Sequence, residues 1–261
     1  MDRREDLQAA CEAARAAGQA VLRLQREGFD TARKANQDPV TTADLEADAL
    51  LKDALLGRFP DDGWLSEETR DDPERLKRQR VWVVDPLDGT KEYTKAIPEF
   101  CISVALVENN EPAVGVIYNP SSDEMFTAVR DEGAARNGEP IRADRPGDGK
   151  PLIAASRSEV GKGKWDRLRD GAELRPAGSA AYKLCLVASG EVDATFTLAP
   201  RNEWDIAAGV LIVTEAGGVV SDRAEQPIRF NQPDPLKNGI FASTRAAREA
   251  ATDLLRRTHK R

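Results

Sequence analysis

The first part of the chain has apolar residues at the spacing of amphipathic helices. They recur at helical intervals, among many alanines, over residues 7–25, which predicts a long helix. Residues 36–40 then form a polar break. Thr41 or Thr42 can cap a second helix that runs to about residue 56, where a glycine and a proline end it.

Short apolar runs replace the helical spacing after residue 80 and predict strands. Residues 61–79 before them are polar and loop-like, apart from Trp-Leu-Ser-Glu-Glu at 64–68. The polar stretch 108–112 separates two of the runs and predicts a hairpin. We therefore expect two helices followed by a mainly antiparallel sheet, whose strands are residues 81–84, 101–107, 113–117 and 125–129.

The pattern changes again beyond residues 143–150, where proline and glycine lie among charged residues. We expect a boundary there, between an α+β subdomain at 1–147 and an α/β subdomain at 148–261. Helices then alternate with strands, which is typical of a layered α/β fold. We predict strands at 152–155, 192–197, 218–220 and 240–242, and helices at 162–170, 180–188, 204–216 and 245–257.

Composition and charge narrow the class of protein. The 261 residues are 40% hydrophobic and 32% charged, and no apolar run approaches the ~20 residues that cross a membrane. The charged N-terminus lacks the apolar core of a signal peptide, so we expect a cytoplasmic protein. The net charge of −7 argues against a nucleic-acid polymer as partner. Cys11, Cys101 and Cys185 are few and widely spaced, which indicates reduced thiols.

The histidine content excludes several mechanisms. His259, close to the C-terminus, is the only histidine in the sequence. A Ser-His-Asp or Cys-His apparatus needs a histidine inside the fold, and histidine-rich zinc sites and phosphohistidine chemistry fail for the same reason. The chemistry must therefore rest on carboxylates, hydroxyls, lysines and metals that prefer oxygen.

A turn that carries two carboxylates follows the predicted strand 81–84. Asp85 ends the apolar run, Pro86 restricts the turn, and Asp88 supplies a second carboxylate three residues later. Both side chains and the carbonyl of Leu87 between them can converge on a hard cation such as magnesium. The alternative is an ordinary turn, since Asp, Pro and Gly favour turns generally.

Two more acidic segments lie where structure should hold their side chains. Glu67-Glu68 follows an apolar pair, and Asp205 stands where the helix at 204–216 should begin. Taken alone, the first can be a solvated surface pair and the second a simple helix cap. Two magnesium ions about 3.5–4 Å apart, which clamp a phosphoryl group, need about four carboxylates from separate segments. Glu67, Asp85, Asp88 and Asp205 could supply them.

These motifs together resemble a known superfamily. Asp85-Pro86-Leu87-Asp88-Gly89-Thr90, with Ser66-Glu67-Glu68 upstream and Trp204-Asp205 downstream, is similar in order and spacing to the inositol monophosphatase superfamily of lithium-sensitive phosphatases. The resemblance extends over nearly the whole chain. It implies a fold like that of inositol monophosphatase and fructose-1,6-bisphosphatase, two or three magnesium ions per site, and a small phosphorylated substrate.

One branch of the superfamily fits best. Lys91-Glu92-Tyr93 after the turn resembles the bacterial 3′(2′),5′-bisphosphate nucleotidases of sulfur assimilation, where inositol monophosphatases usually have Thr-Asn-Phe from Thr90 onward. Residues 38–44 and Ser156-Arg157-Ser158 look like the same branch. Inositol monophosphatases also carry a sugar-binding glutamate seven residues before the second-motif aspartate, and Leu198 occupies that position here.

The resemblance implies roles for individual residues. It makes Asp44 and Thr90 the pair that orients and deprotonates the nucleophilic water, and Asp85 a bridging metal ligand. Ser179 would contact the substrate, and the alternative is that it only caps a helix. Lys34, Lys91, Lys183 and Arg201 could meet a second phosphate or could be solvated surface residues. The metal ligands would be Glu67, Asp85, the Leu87 carbonyl, Asp88 and Asp205; Glu67, Leu87, Asp88, Gly89, Thr90, Gly178, Ser179, Lys183 and Asp205 would contact the substrate.

The reaction implied is hydrolysis of a phosphate monoester by a water that magnesium activates, without a phosphoenzyme. The expected substrate is 3′-phosphoadenosine 5′-phosphate, which would give AMP and phosphate. The alternatives are an inositol, histidinol or sugar phosphatase of the same superfamily, and a non-catalytic nucleotide or metal sensor. The sequence is compatible with a monomer or a homodimer.

Overall fold

The computed structural model describes residues 3–34, 38–146 and 149–259, in which helices and sheets alternate in layers. Two N-terminal helices cover one face of a seven-stranded sheet. Two central helices pack between its other face and a five-stranded sheet, and a C-terminal helix covers the far side of that second sheet. The predicted layered sandwich, with a mainly antiparallel first half and an α/β second half, is confirmed.

The helices follow the predicted spacing, except that the helix predicted at 162–170 is absent. The second helix begins where predicted, because the Thr41 hydroxyl accepts the Ala43 N–H at 3.1 Å and caps it. None of the helices in the described ranges is long and apolar enough to span a membrane. The helices are α1 (Arg3–Glu27), α2 (Thr42–Arg58), α3 (Thr90–Tyr93), α4 (Arg157–Gly161), α5 (Ala180–Ala188), α6 (Glu203–Glu215) and α7 (Arg248–His259), with 3-10 turns at Pro73–Lys77 and Asp166–Leu168.

The seven-stranded sheet has its strands in chain order, and all neighbours are antiparallel except the first two. Successive residues of its second strand pack against opposite layers, as the period of a strand requires. Val81 and Val83 join the core beneath the central helices, and Trp82 and Val84 join the core beneath α1 and α2. The strands are β3 (Gly63–Ser66), β4 (Arg80–Asp88), β5 (Cys101–Glu108), β6 (Glu111–Asn119), β7 (Glu124–Val129), β8 (Gly133–Arg136) and β9 (Glu139–Pro140).

The five-stranded sheet is mixed, in the order β11-β10-β12-β16-β14. Two antiparallel pairs of strands form small separate sheets: β1 (Thr31–Arg33) with β2 (Pro39–Thr41), and β13 (Arg201–Asn202) with β15 (Leu236–Lys237). The strands of the mixed sheet are β10 (Leu152–Ser156), β11 (Glu173–Ala177), β12 (Ala194–Phe196), β14 (Val219–Ser221) and β16 (Phe241–Ser243).

Several predictions of local structure were wrong or incomplete. The helix predicted at 162–170 is absent; α4 ends at Gly161, and Gly163 adopts a φ of 69°, which interrupts any continuation. The segment 61–79 contains β3, which pairs parallel to β4 and shows no periodicity of its own. Strands β1, β2, β8, β9 and β11 were also missed, and each has only two to five residues.

Two predictions touch residues outside the described ranges. Residues 36 and 37 of the predicted polar break lie there, while Pro39–Thr41 forms a strand. Residues 147 and 148, where the two subdomains were predicted to meet, lie there as well. The central core combines residues from both sides of that boundary, such as Val83 and Ile206. The division into 1–147 and 148–261 stays a prediction.

The contact between the large sheet and α6 depends on a glycine. A Cβ added at Gly115 of β6 would lie 2.9 Å from the carbonyl oxygen of Ala208. We predict that Gly115→Ala lowers the free energy of unfolding by about 1–3 kcal/mol, because backbone on both sides must move apart. Urea unfolding measures this change.

The matched control is Gly57→Ala. Gly57 lies in α2, and nothing lies within 4 Å of a Cβ added there. Alanine is favoured over glycine inside a helix by roughly 0.5–1 kcal/mol, so this variant should be as stable as the wild type or more so. Equal stabilities for the two variants would show that the β6–α6 contact is not tight.

Candidate metal centre

The parallel pairing of β3 with β4 places the first two carboxylates side by side. Ser66 lies opposite Val84 in the register, and the Glu67 N–H donates to the Val84 carbonyl at 3.3 Å. Glu67 and Asp85 are the next residues of the two strands. Neighbouring parallel strands present their next residues at the same edge of the sheet, so the two side chains enter one site.

The third carboxylate comes from the first turn of α6. The Asp205 carboxylate accepts the Asn202 N–H at 3.2 Å, as expected for an acidic residue at a helix start. Ser103 pairs with Asp85 across β4 and β5, and its hydroxyl donates to the Trp204 carbonyl at 3.2 Å. This bond ties the start of α6 to the strand position beside Asp85.

Glu67, Asp85 and Asp205 form a compact acidic cluster, with one oxygen of each carboxylate within 4.8 Å of the others. Burial, and then the charges of Glu67, Asp88 and Asp205, raise the pKa of Asp85 well above its usual range. Burial also raises the pKa of Glu67 and of Asp205, and neighbouring carboxylates add to both shifts. A bound divalent cation would offset this repulsion, and carboxylate oxygens are the ligands that magnesium prefers. The donor set therefore fits a metal ion.

Asp88 and Leu87 border the same cavity as the cluster. One oxygen of Asp88, Oδ2, accepts the Ser179 hydroxyl and the Ala181 N–H, both at 2.6 Å. The Leu87 N–H donates to Asp85 Oδ1 at 3.0 Å, which orders the turn. The structure thus brings Asp88 to the site but holds one of its oxygens at the start of α5.

Thr90 and Asp44 form the hydroxyl–carboxylate pair that the resemblance implies. The Thr90 hydroxyl lies 3.0 Å from Asp44 Oδ1 and 3.1 Å from the Leu87 carbonyl. The other oxygen of Asp44 accepts both the N–H and the hydroxyl of Thr41, at 2.7 and 2.6 Å. Burial raises the pKa of Asp44, and the hydrogen bonds from Thr41 and Thr90 oppose that shift. A buried carboxylate therefore stands behind a hydroxyl that borders the cavity.

A cavity of about 330 Å³ contains the cluster, and its walls come from both halves of the chain. Lys183 is buried, and its Nζ donates to the Gly178 carbonyl at 3.3 Å and to the Ser179 carbonyl. Burial lowers the pKa of Lys183 to about 8, while Asp88 opposes that shift. The residues predicted for metal or substrate that line the cavity are Glu67, Asp85, Leu87, Asp88, Gly89, Thr90, Gly178, Ser179, Lys183 and Asp205.

The other candidate cations differ in their surroundings. The Lys34 Nζ lies 2.6 Å from carboxylate oxygens of both Glu67 and Glu68. Lys91 lines the cavity but pairs with Asp38 at 2.6 Å on an exposed surface. Arg201 lines the cavity, and its Nε is buried without a hydrogen-bond partner among the described residues. Lys34 therefore offsets the charge of Glu67 within the cluster, whereas Arg201 is available to an anion.

Sequence reasoning missed an acidic residue that holds the start of α6. Glu203 is completely buried, and its carboxylate accepts the Asn231 N–H at 2.6 Å and the Gln232 N–H at 3.0 Å. The Lys237 Nζ lies 2.8 Å from it. In sequence, Glu203 reads as one more acidic residue in the first turn of a helix. Its partners lie about thirty residues away, and no local pattern points to them.

The exclusion of histidine chemistry continues to rest on the sequence. His259 belongs to α7, and its side chain lies outside the described part of the chain. Leu198, which replaces the sugar-binding glutamate, packs against the core of the second sheet and is not among the residues that line the cavity.

Comparisons with known proteins agree with this geometry. A family model described as the inositol monophosphatase family matches residues 2–260. The 3′(2′),5′-bisphosphate nucleotidase CysQ of Escherichia coli (strain K12) is 34% identical over 240 residues, which cover 88% of this chain and 96% of that protein. Inositol monophosphatase 2 of Solanum lycopersicum is 36% identical over 238 residues, which cover 84% and 87%. The crystal structure of the extragenic suppressor protein suhB from Bartonella henselae matches with a TM-score of 0.84 and 30% identity, covering 96% of this chain and 98% of that one.

The acidic cluster predicts an unusual effect of neutralising Asp85. We expect Asp85→Asn to raise the free energy of unfolding of the metal-free protein near neutral pH, because burial and the neighbouring carboxylates disfavour the charged form of Asp85. The amide removes one charge from the cluster, and its oxygen can still accept the Leu87 N–H. Urea unfolding in EDTA, repeated over a pH series, measures the effect.

The direction of the pH dependence follows from the raised pKa of Asp85. An unfolded aspartate titrates near about 3.9, so the folded wild type binds more protons above that pH and loses stability as pH rises. The gain in the variant should therefore disappear at about pH 4. Asp6→Asn is the control, because Asp6 is buried and pairs with Arg80 at 2.7 Å, so its neutralisation should destabilise the protein. A destabilised Asp85→Asn at neutral pH would contradict the repulsion.

Proposed function

This chain belongs to the inositol monophosphatase family, and from that premise we propose that it is a magnesium-dependent phosphomonoesterase that hydrolyses the 3′-phosphate of 3′-phosphoadenosine 5′-phosphate. The family is metal-dependent. The products would be AMP and inorganic phosphate. At a coarser level, the chain is a phosphatase of this family.

The observation that carries the proposal is the meeting of two chemical groups in one cavity. The carboxylates of Glu67, Asp85 and Asp205 converge there, and Thr90 borders the same space with Asp44 behind it. Metal-assisted hydrolysis of a phosphate ester requires both an oxygen-rich metal site and an acceptor for the proton of the attacking water. Few other activities would use both groups.

The residues that would hold two or three magnesium ions are Glu67, Asp85, Asp88, Asp205 and the Leu87 carbonyl. Magnesium bound there would lower the pKa of the attacking water and stabilise negative charge on the phosphoryl and leaving oxygens. Oxygen donors only, most of them anionic, agree with magnesium rather than with softer metals.

Thr90 and Asp44 would take the proton of the attacking water. The water oxygen forms the new bond to phosphorus while its proton passes to the Thr90 oxygen. The Thr90 hydroxyl proton passes in turn to Asp44 Oδ1, 3.0 Å away. The raised pKa of Asp44 makes it a stronger base than an exposed aspartate. The bond between phosphorus and the 3′ oxygen breaks, and that oxygen takes a proton from solvent.

The turn after β4 would hold the phosphoryl group. Gly89 has a φ of 99° and stands directly before the four-residue helix α3. The first N–H groups of a helix have no partner within it, so those of Gly89 and Thr90 could bind phosphate oxygens. A Cβ at Gly89 would lie 2.8 Å from the Glu99 carbonyl, so the turn requires glycine.

The choice of a bisphosphate nucleotide rests on the outer wall of the cavity. Lys183 and Arg201 line it on the side of the second half, where Gly178 and Ser179 also lie. Two cations near a phosphate-cleaving centre suit a substrate with a second phosphate. The relative with 34% identity named a 3′(2′),5′-bisphosphate nucleotidase supports the same choice.

Inositol phosphate is the second candidate substrate. A relative named inositol monophosphatase 2 is 36% identical, so similarity to relatives does not separate the two. The residue at the sugar-binding position argues against inositol phosphate. The side chain of Leu198 cannot accept hydrogen bonds from sugar hydroxyls, and Leu198 does not line the cavity. A non-catalytic sensor would bind nucleotide and metal without releasing phosphate.

Substrate preference gives the most direct test. With MgCl₂ present, we expect kcat/KM for 3′-phosphoadenosine 5′-phosphate to exceed that for inositol 1-phosphate by about 100-fold or more, since a binding site that matches two phosphates discriminates by several kcal/mol. Phosphate release is measured, with EDTA and lithium chloride as inhibitors. A preference for inositol 1-phosphate would overturn the substrate assignment and leave the phosphatase mechanism intact.

The proton relay gives a second test. Thr90→Val removes the hydroxyl but keeps the shape of the side chain, so kcat should fall by about 10²–10⁴-fold, the usual contribution of a positioned base. Thr90→Ser restores the hydroxyl and is the matched control, with a fall of about 10-fold or less. Equal turnover by Thr90→Val and the wild type would exclude Thr90 from the relay.

A further inference from the structure

The motif Ser156-Arg157-Ser158 has no role in the proposed mechanism. Ser156 and Ser158 line the cavity, but Arg157 does not. Strands β10 and β11 run parallel with Ser156 opposite Ala177. Arg157 and Gly178 therefore follow the same edge of the second sheet, next to each other and close to the site.

Arg157 forms a forked ion pair with Glu99, a residue from the first half of the chain. Its Nε lies 3.0 Å from Glu99 Oε2, and its Nη2 lies 2.6 Å from Oε1. Glu99 Oε2 also accepts the Gly178 N–H at 2.7 Å, and Arg157 Nη2 donates to the Pro176 carbonyl at 3.1 Å. Two planar groups thus hold the backbone at residues 176–178 from both sides. Charge-assisted, forked hydrogen bonds of this kind are among the strongest that side chains make.

The backbone that this clamp holds is closely packed and strained. A Cβ at Gly178 would lie 2.4 Å from the Glu92 side chain and 2.7 Å from the Glu99 carbonyl. Ser179 has a φ of 50° with a ψ of 134°, which a residue with a side chain rarely adopts. Such a conformation persists only when its surroundings hold it, and it is most often found at functional sites.

Ser179 connects the clamp to the candidate metal ligand Asp88. Its hydroxyl donates to Asp88 Oδ2 at 2.6 Å, and the Ala181 N–H donates to the same oxygen at 2.6 Å. Two donors on one oxygen fix the plane of the carboxylate and leave Oδ1 to coordinate a cation. A displaced Ser179 would release the carboxylate into other orientations.

We infer that Arg157 and Glu99 are positioning residues for Asp88: their ion pair holds the Gly178–Ser179 turn in the conformation in which Ser179 and Ala181 orient the Asp88 carboxylate toward the metal. This inference rests on the proposed function only in assigning Asp88 to magnesium. It concerns a pair of residues that do not line the cavity.

The test is the magnesium affinity of the folded protein. We expect Arg157→Met to raise the MgCl₂ concentration for half-saturation by about 10-fold or more, the usual effect of removing a group that orients a metal ligand. Glu99→Gln should act in the same direction but less strongly, because the amide oxygen can still accept the Gly178 N–H. Isothermal titration calorimetry with MgCl₂ and no substrate measures the affinity, so the result does not depend on which phosphate ester is hydrolysed.

The matched control is Arg256→Met. Arg256 also bonds a glutamate through Nε and Nη2, at 3.1 and 2.7 Å from Glu225 Oε1, on an exposed surface of α7. That variant should keep wild-type magnesium affinity. Arg157→Lys keeps the charge with a single contact and serves if Arg157→Met folds poorly; it should weaken magnesium binding by an intermediate factor.

A double-variant comparison completes the test. If the two residues act as one clamp, Glu99→Gln combined with Arg157→Met should weaken magnesium binding no more than Arg157→Met alone, rather than by the product of the two effects. Folded variants that lose thermal stability but bind magnesium within twofold of the wild type would overturn the inference. Wild-type protein that binds magnesium but releases phosphate from no tested ester would instead overturn the proposed function.

Discussion

The structure depends on holding three carboxylates together against their mutual repulsion. Glu67, Asp85 and Asp205 each place an oxygen within 4.8 Å of the others, and Asp85 is almost completely buried. Burial and like charge both raise the pKa of Asp85, which means that the folded chain holds this group in an unfavourable state. The rest of the fold has to supply the free energy that keeps the cluster assembled until cations bind.

The supports of the cluster are backbone pairings and buried ion pairs from distant parts of the chain. Glu67 and Asp85 are fixed by the β3–β4 register, which leaves neither carboxylate free to move away along its strand. Asp205 is fixed by α6, whose first turn is held by Glu203 and by the Ser103 hydroxyl. The same loop that bonds Glu203 also accepts hydrogen bonds from the buried Arg75, which lies in the 3-10 turn between β3 and β4. Rigid elements with a second layer of hydrogen bonds are what a site of defined geometry requires.

Sequence reasoning succeeded where a local pattern carries the information. Asp85, Asp88 and Thr90 lie on one turn, so the residues themselves show that a strand delivers carboxylates to a tight bend. It failed where partners are remote or elements are short. Strand β3 has four residues and is defined only by β4, and the Glu99–Arg157 pair joins positions 58 residues apart. Asp88 was predicted as a metal ligand, but its bonds to Ser179 and Ala181 depend on how the two halves pack. The meeting of all these groups in one cavity required the structure.

The carboxylate cluster and the wall of the cavity would act on different parts of a substrate. In the proposed function, the carboxylate cluster and the Thr90–Asp44 pair would act on the phosphoryl group and the attacking water, and every phosphate monoester has such a phosphoryl group. The part of the substrate that distinguishes a nucleotide from a polyol would contact the wall of the cavity, which contains Lys183 and Arg201. Discrimination between substrates would then rest on a few side chains from the second half. Because the Glu99–Arg157 pair braces the turn between Asp88 and Lys183, metal binding and the cationic wall depend on the same short segment of backbone.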